Sequence, residues 1–133
     1  MEEKNKRTII IIDDDKFLLD MYAMKFDEQG FEVTPCASAE EALGKVIDGL
    51  HPDIFLVDII MQRMDGFTFI ETLNSNDQKG KSALVILSNL GQKEDVERGL
   101  QLGADGYVVK ASVTPSEVVT KVLEIVNNKK NKW

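Results

Sequence analysis

Short aliphatic runs recur along the chain, and longer stretches with apolar residues at helical spacing separate them. Each run is too short for a helix and is rich in β-branched residues, which is typical of strands buried on both faces of a parallel sheet. A weaker run follows the break at Gly30. The predicted strands cover residues 9–12, 31–35, 54–57, 84–87 and 107–109.

The stretches between the runs predict five helices. Ser38-Ala-Glu-Glu41 and Thr114-Pro-Ser-Glu117 are capping boxes, in which a hydroxyl and a carboxylate three residues apart satisfy free N–H groups of the first turn. The predicted helices are residues 17–26 capped by Asp15, a segment opening at Ser38, residues 67–73, residues 93–102 ended by Gly103, and a segment opening at Thr114 that leads to a polar, frayed tail at 127–133.

The alternation of strands and helices predicts an α/β fold, a (βα)5 flavodoxin-like doubly wound domain. Its five-stranded parallel sheet is expected in the order 2-1-3-4-5, with helices on both faces. The length of 133 residues suits a single domain over 1–133, with a core from about 7 to 128 between short polar tails. Ligands of such folds bind at the carboxyl ends of the strands, where the strand order reverses.

Composition narrows the classes of function. A net charge of −7 argues against direct nucleic-acid binding by this chain, because phosphate contacts need clustered Lys and Arg. With a single cysteine, Cys36, no internal disulfide can form, which indicates a reducing, cytoplasmic location. The sequence starts with polar residues instead of an apolar signal segment, and no apolar run is long enough to span a membrane.

Polar residues with complementary chemistry follow four of the predicted strands. Clustered carboxylates repel one another unless a cation lies among them, and hard oxygen ligands suit Mg²⁺. A lysine neutralises part of such a charge, and a serine hydroxyl can donate to a phosphoryl oxygen. Each residue alone has an ordinary explanation, such as a helix cap for Asp15, but together they are typical of phosphoryl transfer. They are Asp13, Asp14 and Asp15 after the first strand, Asp58 after the third, Ser88 after the fourth and Lys110 after the fifth.

These residues lie in four ordered motifs. The motifs are four isoleucines before Asp13-Asp14-Asp15, Asp58-Ile-Ile-Met61 with Met64-Asp65-Gly66, Leu84-Val-Ile-Leu-Ser88, and Gly106-Tyr107-Val-Val-Lys110. Together they resemble the bacterial response-regulator receiver family over nearly the whole chain. The resemblance implies that Asp58 accepts a phosphoryl group. It also implies Mg²⁺ bound by Asp13, Asp14, Asp58 and the backbone carbonyl of Ile60.

The resemblance also implies a switch. Lys110 and Ser88 would hold phosphoryl oxygens, and Tyr107 resembles the aromatic residue that moves inward when the Ser88 hydroxyl moves. Ordinary packing at the sheet edge is the alternative for Tyr107. Phosphorylation would change the face formed by the fourth helix, the fifth strand and the fifth helix.

Partners follow from the same resemblance. The phosphodonor would be a sensor histidine kinase or a histidine phosphotransfer protein. The output would pass to an unknown protein partner or to a phosphorylation-dependent homodimer. The chain would not be an enzyme with an outside substrate, since it would catalyse only its own phosphorylation and dephosphorylation.

The chain departs from the family pattern at several positions. Gln62 and Ala111 stand where proline is usual. A cis bond to a non-proline residue costs roughly 2.5–4 kcal/mol, against about 0.5–1 for proline, so a trans bond is predicted between Lys110 and Ala111. Ile60 and Leu90 flank the site with apolar side chains that cannot orient a hydrolytic water, which predicts slow self-dephosphorylation.

Two alternatives remain open. Asp13-Asp14-Asp15 also fits the Asp-x-Asp motif of haloacid-dehalogenase-like phosphatases, with Asp13 as the nucleophile. That interpretation leaves Asp58 unexplained, and only Glu117 and Glu124 follow Lys110 as further acids. The second alternative is a degenerate receiver used as a protein-binding scaffold, against which the complete set of polar residues argues.

Overall fold

Five parallel strands form one sheet within residues 6–130, the part of the chain that the computed structural model describes. The strands are β1 (Thr8–Ile12), β2 (Glu32–Cys36), β3 (Ile54–Val57), β4 (Ala83–Ser88) and β5 (Gly106–Val109). They lie in the order β2-β1-β3-β4-β5, which confirms the predicted sheet. Because the strand order reverses between β1 and β3, the carboxyl ends of these two strands form the expected ligand-binding edge.

Four helices connect the strands and a fifth follows β5. A side chain caps the N-terminus of each helix except the fourth. The carboxylate of Asp15 accepts the N–H of Leu18, as predicted. Glu117 and Thr114 form the reciprocal bonds of a capping box. The helices are α1 (Lys16–Glu28), α2 (Ala39–Ile47), α3 (Gly66–Ser75), α4 (Lys93–Gln101) and α5 (Pro115–Lys130).

The sheet separates two apolar cores. Ile9 and Ile11 face the core that α1 and α5 cover, while Ile10 and Ile12 face the core that α2 and α3 cover. Each of these four side chains is at most 1% exposed, and burial of one such side chain stabilises the fold by about 1.5–3 kcal/mol. Because successive side chains point to opposite faces of the sheet, both cores need apolar residues from this strand, and the four isoleucines form a continuous apolar run in the sequence.

Three local predictions need correction. The second strand begins at Glu32, so Phe31 lies outside it and packs its ring edge-on to Phe26. The fourth helix ends at Gln101, with Leu102 as its cap residue before Gly103 at φ +107°. The fifth helix continues through residues 127–130, which were predicted to fray; the rest of that tail, residues 131–133, lies outside the described residues.

The segment after β5 was not predicted in detail. Lys110–Ser112 forms one 3-10 turn before the fifth helix. No peptide bond within residues 6–130 is cis, so the trans bond predicted between Lys110 and Ala111 is confirmed. Across the same described range, no helix has both the length and the apolar character needed to cross a membrane.

Candidate functional site

The site is built at the carboxyl ends of β1, β3 and β5. Ile12 of β1 pairs with Val57 of β3, so the residues that follow them, Asp13 and Asp58, start side by side. The backbone ladder extends to both. The N–H of Asp13 donates to the Cys36 carbonyl at 3.1 Å, and that of Asp58 donates to the Ile12 carbonyl at 3.0 Å. The sheet itself therefore fixes where both carboxylates begin.

Lys110 joins the two carboxylates. Its ammonium nitrogen lies 2.7 Å from Oδ2 of Asp13 and 2.9 Å from Oδ2 of Asp58. None of these three side chains is more than 8% exposed, so salt screens the ion pairs much less than it screens surface pairs. One ammonium group between two carboxylates leaves a negative charge uncompensated at this point.

Burial and hydrogen bonding shift two pKa values in this group. Burial raises the pKa of Asp13, and the hydrogen bonds from Lys110 and from the Asp15 N–H only partly oppose that effect. Burial lowers the pKa of Lys110, but its hydrogen bonds to Asp13 and Asp58 outweigh the effect, so this pKa lies above its usual value. Lys110 therefore keeps its positive charge at neutral pH.

Asp14 supplies a third carboxylate. Ligand atoms of Asp13, Asp14 and Asp58 all lie within 4.8 Å of one another, and Asp14 alone among them is exposed. Its Oδ2 accepts the backbone N–H of Gln62 at 3.1 Å, which ties the loop after β3 to the end of β1. The three carboxylates form an acidic pocket, and their hard oxygen atoms suit a divalent cation.

The backbone around Asp58 is tightly packed. Its Oδ1 accepts the N–H of Ile59 at 2.7 Å. The N–H of Gly66 donates to the Ile59 carbonyl at 2.9 Å. A Cβ atom at Gly66 would lie only 2.2 Å from the carbonyl oxygen of Asp58 and 2.8 Å from Cα of Ile59. Only glycine therefore fits where α3 begins behind Asp58.

A second group of contacts runs from the end of β4 to β5. Ser88 is fully buried at the end of β4, and its hydroxyl oxygen accepts the N–H of Leu90 at 3.3 Å. The carbonyl of Leu90 accepts a hydrogen bond from the hydroxyl of Tyr107. Burial raises the pKa of Tyr107 to about 12, so this hydroxyl keeps its proton at neutral pH. The backbone of Leu90 thus links Ser88 to Tyr107.

A family comparison agrees with this geometry. Residues 9–123 match the family model described as the response regulator receiver domain. The chain belongs to this family. Receiver domains take phosphoryl groups from kinases, and the family is one of signalling domains in two-component systems, not one of ordinary enzymes.

Relatives of this receiver domain are also response regulators. The "Probable transcriptional regulator ycf27" of Cyanophora paradoxa is 30% identical over 129 residues, which are 97% of this chain and 52% of that protein. The response regulator SaeR of Staphylococcus aureus is 28% identical over 122 residues, 92% of this chain and 51% of that protein. The chain therefore spans about half the length of these two curated relatives.

A solved structure shows the same fold. The CheY-like receiver domain protein of Methanospirillum hungatei JF-1 superimposes with a TM-score of 0.84 at 25% sequence identity. The match covers 97% of this chain and 100% of that one. Neither the phosphatase nor the scaffold alternative is favoured by these comparisons.

The receiver domain brings Asp13, Asp14, Asp58 and Lys110 together, as the strand-end argument predicts. Asp15 does not join them, because its side chain caps α1. The roles predicted for these residues, for Ser88 and Tyr107, and for the Ile60 carbonyl stay predictions. The side chain of Ile60 is 57% exposed beside the site.

Sequence reasoning missed the backbone groups of the site. The N–H groups of Ile59 and Gln62 bond to Asp58 and Asp14, and no side-chain pattern reveals them. The close approach of Gly66 was also missed as a requirement. Its signal was available, since Asp65-Gly66 opens α3 with Asp65 as the cap, and a glycine at the first helical position is a poor helix former.

Proposed function

We propose that Asp58 accepts a phosphoryl group from a phosphohistidine of a sensor kinase or a histidine phosphotransfer protein. The observation that carries this proposal is the buried ammonium group of Lys110 between the carboxylates of Asp58 and Asp13. A lysine in this position offsets part of the charge of Asp58, so that the carboxylate can approach an anionic phosphoryl group. The second oxygen of Asp58 accepts the backbone N–H of Ile59.

The transfer is a displacement at phosphorus. A carboxylate oxygen of Asp58 forms the new P–O bond while the P–N bond to the donor imidazole breaks. The electron pair of the broken bond stays on the imidazole nitrogen, which takes up a proton. The product is an acyl phosphate on Asp58 and a neutral histidine on the donor. Positioning and charge neutralisation supply most of the rate of such a transfer.

Mg²⁺ is the proposed cofactor. The donor set fits this ion, because Asp13, Asp14 and Asp58 offer only hard oxygen atoms and Asp14 is open to solvent. These carboxylates and the backbone carbonyl of Ile60 would hold it. When bound, Mg²⁺ neutralises charge on the phosphoryl oxygens. It would also relieve the repulsion among three carboxylates that Lys110 alone offsets only in part.

Lys110 and Ser88 have separate proposed roles. Lys110 would turn from Asp58 to a phosphoryl oxygen and remain charged throughout, which its raised pKa supports. Ser88 is fully buried at the end of β4, and its hydroxyl would donate a hydrogen bond to another phosphoryl oxygen. That movement would give up the bond that the Ser88 oxygen accepts from the Leu90 N–H.

The output would arise from the charge that phosphorylation adds. A phosphorylated side chain carries about −1.5 to −2 charges at neutral pH, and this charge would bias Ser88, Leu90 and Tyr107 toward a second arrangement. The face of α4, β5 and α5 would then control a protein partner or a homodimer. The −7 net charge supports a protein as the target of this chain instead of nucleic acid.

Intact-mass measurement tests the proposal. The chain is incubated with Mg²⁺ and phosphoramidate, beside Asp58→Asn and the control Asp20→Asn, which changes an exposed carboxylate paired with Lys16. The expected result is a single phosphate adduct on the wild type and on Asp20→Asn, absent without Mg²⁺ and absent from Asp58→Asn. An adduct that survives Asp58→Asn would move the acceptor to Asp13, and no adduct on the wild type would favour the scaffold interpretation.

A further inference from the structure

The loop that leads from β3 to α3, residues 58–65, has an unfavourable turn at its tip. The base of the loop is closed by the hydrogen bond from the Gly66 N–H to the Ile59 carbonyl at 2.9 Å. The tip turns at Arg63, whose φ of +66° lies in the left-handed region that residues other than glycine rarely adopt. Such a conformation persists only where neighbouring contacts hold it. The contacts at the tip are therefore expected to fix the shape of this loop.

The tip makes an ion pair and a backbone hydrogen bond. Nε of Arg63 lies 3.4 Å from Oε2 of Glu40 on α2, but both side chains are exposed, and exposed ion pairs contribute little to stability. The N–H of Gln62 donates to Oδ2 of Asp14 at 3.1 Å. A hydrogen bond to a carboxylate is stronger than one between neutral groups. The Gln62 bond therefore joins the loop directly to the acidic pocket.

Asp14 is the carboxylate of the pocket that gains most from such a bond. Asp13 and Asp58 are buried and paired with Lys110, whereas Asp14 is exposed. An exposed side chain loses rotamer freedom when it binds an ion. A bond that fixes the side chain beforehand reduces this cost. Partners that orient a metal-binding carboxylate in this way increase the affinity for the metal.

The group that holds Asp14 belongs to the main chain. Every residue except proline carries a backbone N–H, so at position 62 proline alone would remove the bond. Proline is the residue that is usual at this position of the family pattern. Gln62 therefore gives this chain a contact with Asp14 that does not follow from membership of the family.

We propose that the backbone N–H of Gln62 positions the Asp14 carboxylate for Mg²⁺, so that the chain binds the ion more tightly than it would with proline at position 62. This inference rests on the proposed function for the identity of the ion. The hydrogen bond itself belongs to the protein without Mg²⁺ and can be tested there.

The first test concerns the bond in the protein without Mg²⁺. Amide NMR of the full chain with isotope-labelled glutamine reports it, and Gln62→Ala assigns the Gln62 signal. Asp14→Ala removes the acceptor, so the Gln62 amide proton should move upfield and exchange faster with water. The control Asp20→Ala removes an exposed carboxylate paired with Lys16 and should change neither property. A Gln62 amide that is unchanged in Asp14→Ala would overturn the proposal.

Calorimetric titration with Mg²⁺ alone tests the effect on the ion. Gln62→Pro removes the N–H and should weaken Mg²⁺ binding roughly tenfold, the lower end of the loss expected when a partner of a metal ligand is removed. Gln62→Ala is the matched control, because it removes the side chain, keeps the N–H and should bind the ion as tightly as the wild type. Equal affinities of the two variants would overturn the proposal. Tighter binding by Gln62→Pro would also overturn it, since the bond would then compete with the ion.

An amide-to-ester variant separates the loss of the N–H from the effects of the proline ring. It carries the α-hydroxy acid counterpart of glutamine at position 62, so that an ester oxygen replaces the N–H and the side chain stays. Its Mg²⁺ affinity should fall as far as that of Gln62→Pro. This variant decides the question even if the proline variant does not fold, because wild-type affinity in the ester variant would refute the role of the N–H.

The wild-type titration distinguishes this inference from the proposed cofactor. A wild type that binds no Mg²⁺ would refute the cofactor and the inference together. If the wild type and both variants without the N–H bind Mg²⁺ with equal affinity, the cofactor stands and only the role of the Gln62 N–H is refuted.

Discussion

The ammonium nitrogen of Lys110 lies 2.7 Å from a carboxylate oxygen of Asp13, and the two side chains are only 8% and 3% exposed. An exposed pair of almost the same length, Lys16 and Asp20 at 2.8 Å, has 76% and 61% exposed side chains. Equal distance does not mean equal energy, because exposed pairs contribute little, whereas removal of one partner of a buried pair leaves a charge without compensation.

Lys110→Met should therefore destabilise the protein strongly. In Mg²⁺-free buffer the free energy of unfolding should fall by about 3 kcal/mol, since Asp13 and Asp58 would both be left buried without a cation. Urea denaturation measures this change. Lys16→Met is the matched control and should alter stability by less than about 0.5 kcal/mol. Equal effects of the two substitutions would show that burial does not distinguish these pairs.

The sequence predicted most of this arrangement, for a physical reason. A strand buried on both faces must be apolar throughout, so strands such as residues 9–12 can be recognised from the sequence. The parallel order of the sheet then brings Asp13, Asp58 and Lys110 to one edge. The bonds from the N–H groups of Ile59 and Gln62 were not predictable. Every residue but proline carries such a group, so only the path of the loop decides which one reaches a carboxylate.

Gly66→Ala should distort the site and destabilise the fold. The added Cβ would lie 2.2 Å from the Asp58 carbonyl oxygen. Main-chain atoms cannot move aside to relieve this contact as the end of a flexible side chain can. Overpacking costs typically 1–3 kcal/mol, and the expected loss is about 3 kcal/mol because both clashing groups are main chain. Phosphate uptake from phosphoramidate should fall along with the urea midpoint.

Gly44→Ala is the control for this glycine. It lies within α2 with nothing near its Cβ position, so it should stabilise the protein by about 0.5–1 kcal/mol through better helix propensity. A Gly66→Ala protein of wild-type stability and reactivity would show that the start of α3 shifts freely away from Asp58.

Alkaline pH should weaken the fold partly through Tyr107. Burial raises its pKa to about 12, above the ordinary value of about 10. The unfolded chain therefore loses the Tyr107 proton at a lower pH than the folded protein does. The contribution of Tyr107 to stability is complete below pH 10 and is lost as the pH rises toward 12. Tyr107→Phe removes this titration, so its stability should fall less steeply than that of the wild type between pH 10 and 12.

Urea midpoints measured across this pH range test the Tyr107 prediction. The urea midpoint of Tyr107→Phe should still fall with rising pH, because the pKa values of Lys110 and Tyr22 are also raised and their titration lowers stability in the same direction. Identical slopes in the two proteins would mean that folding does not raise the pKa of Tyr107. The Phe variant should be less stable below pH 10, since it lacks the hydrogen bond to Leu90.

Ile60 bears on the lifetime of the phosphorylated state. Its side chain is 57% exposed two residues after Asp58, and neither it nor the half-buried Leu90 carries a polar group that could orient an attacking water. Ile60→Asn would supply an amide at this position. The loss of phosphate after removal of the donor should become roughly tenfold faster, a modest gain for positioning a water without a general base. Intact-mass measurement at successive times gives the rate. Ile47→Asn, which changes a 69% exposed side chain on α2, should leave the rate unchanged. If the wild type already loses phosphate as fast as Ile60→Asn, the apolar flank does not set the lifetime.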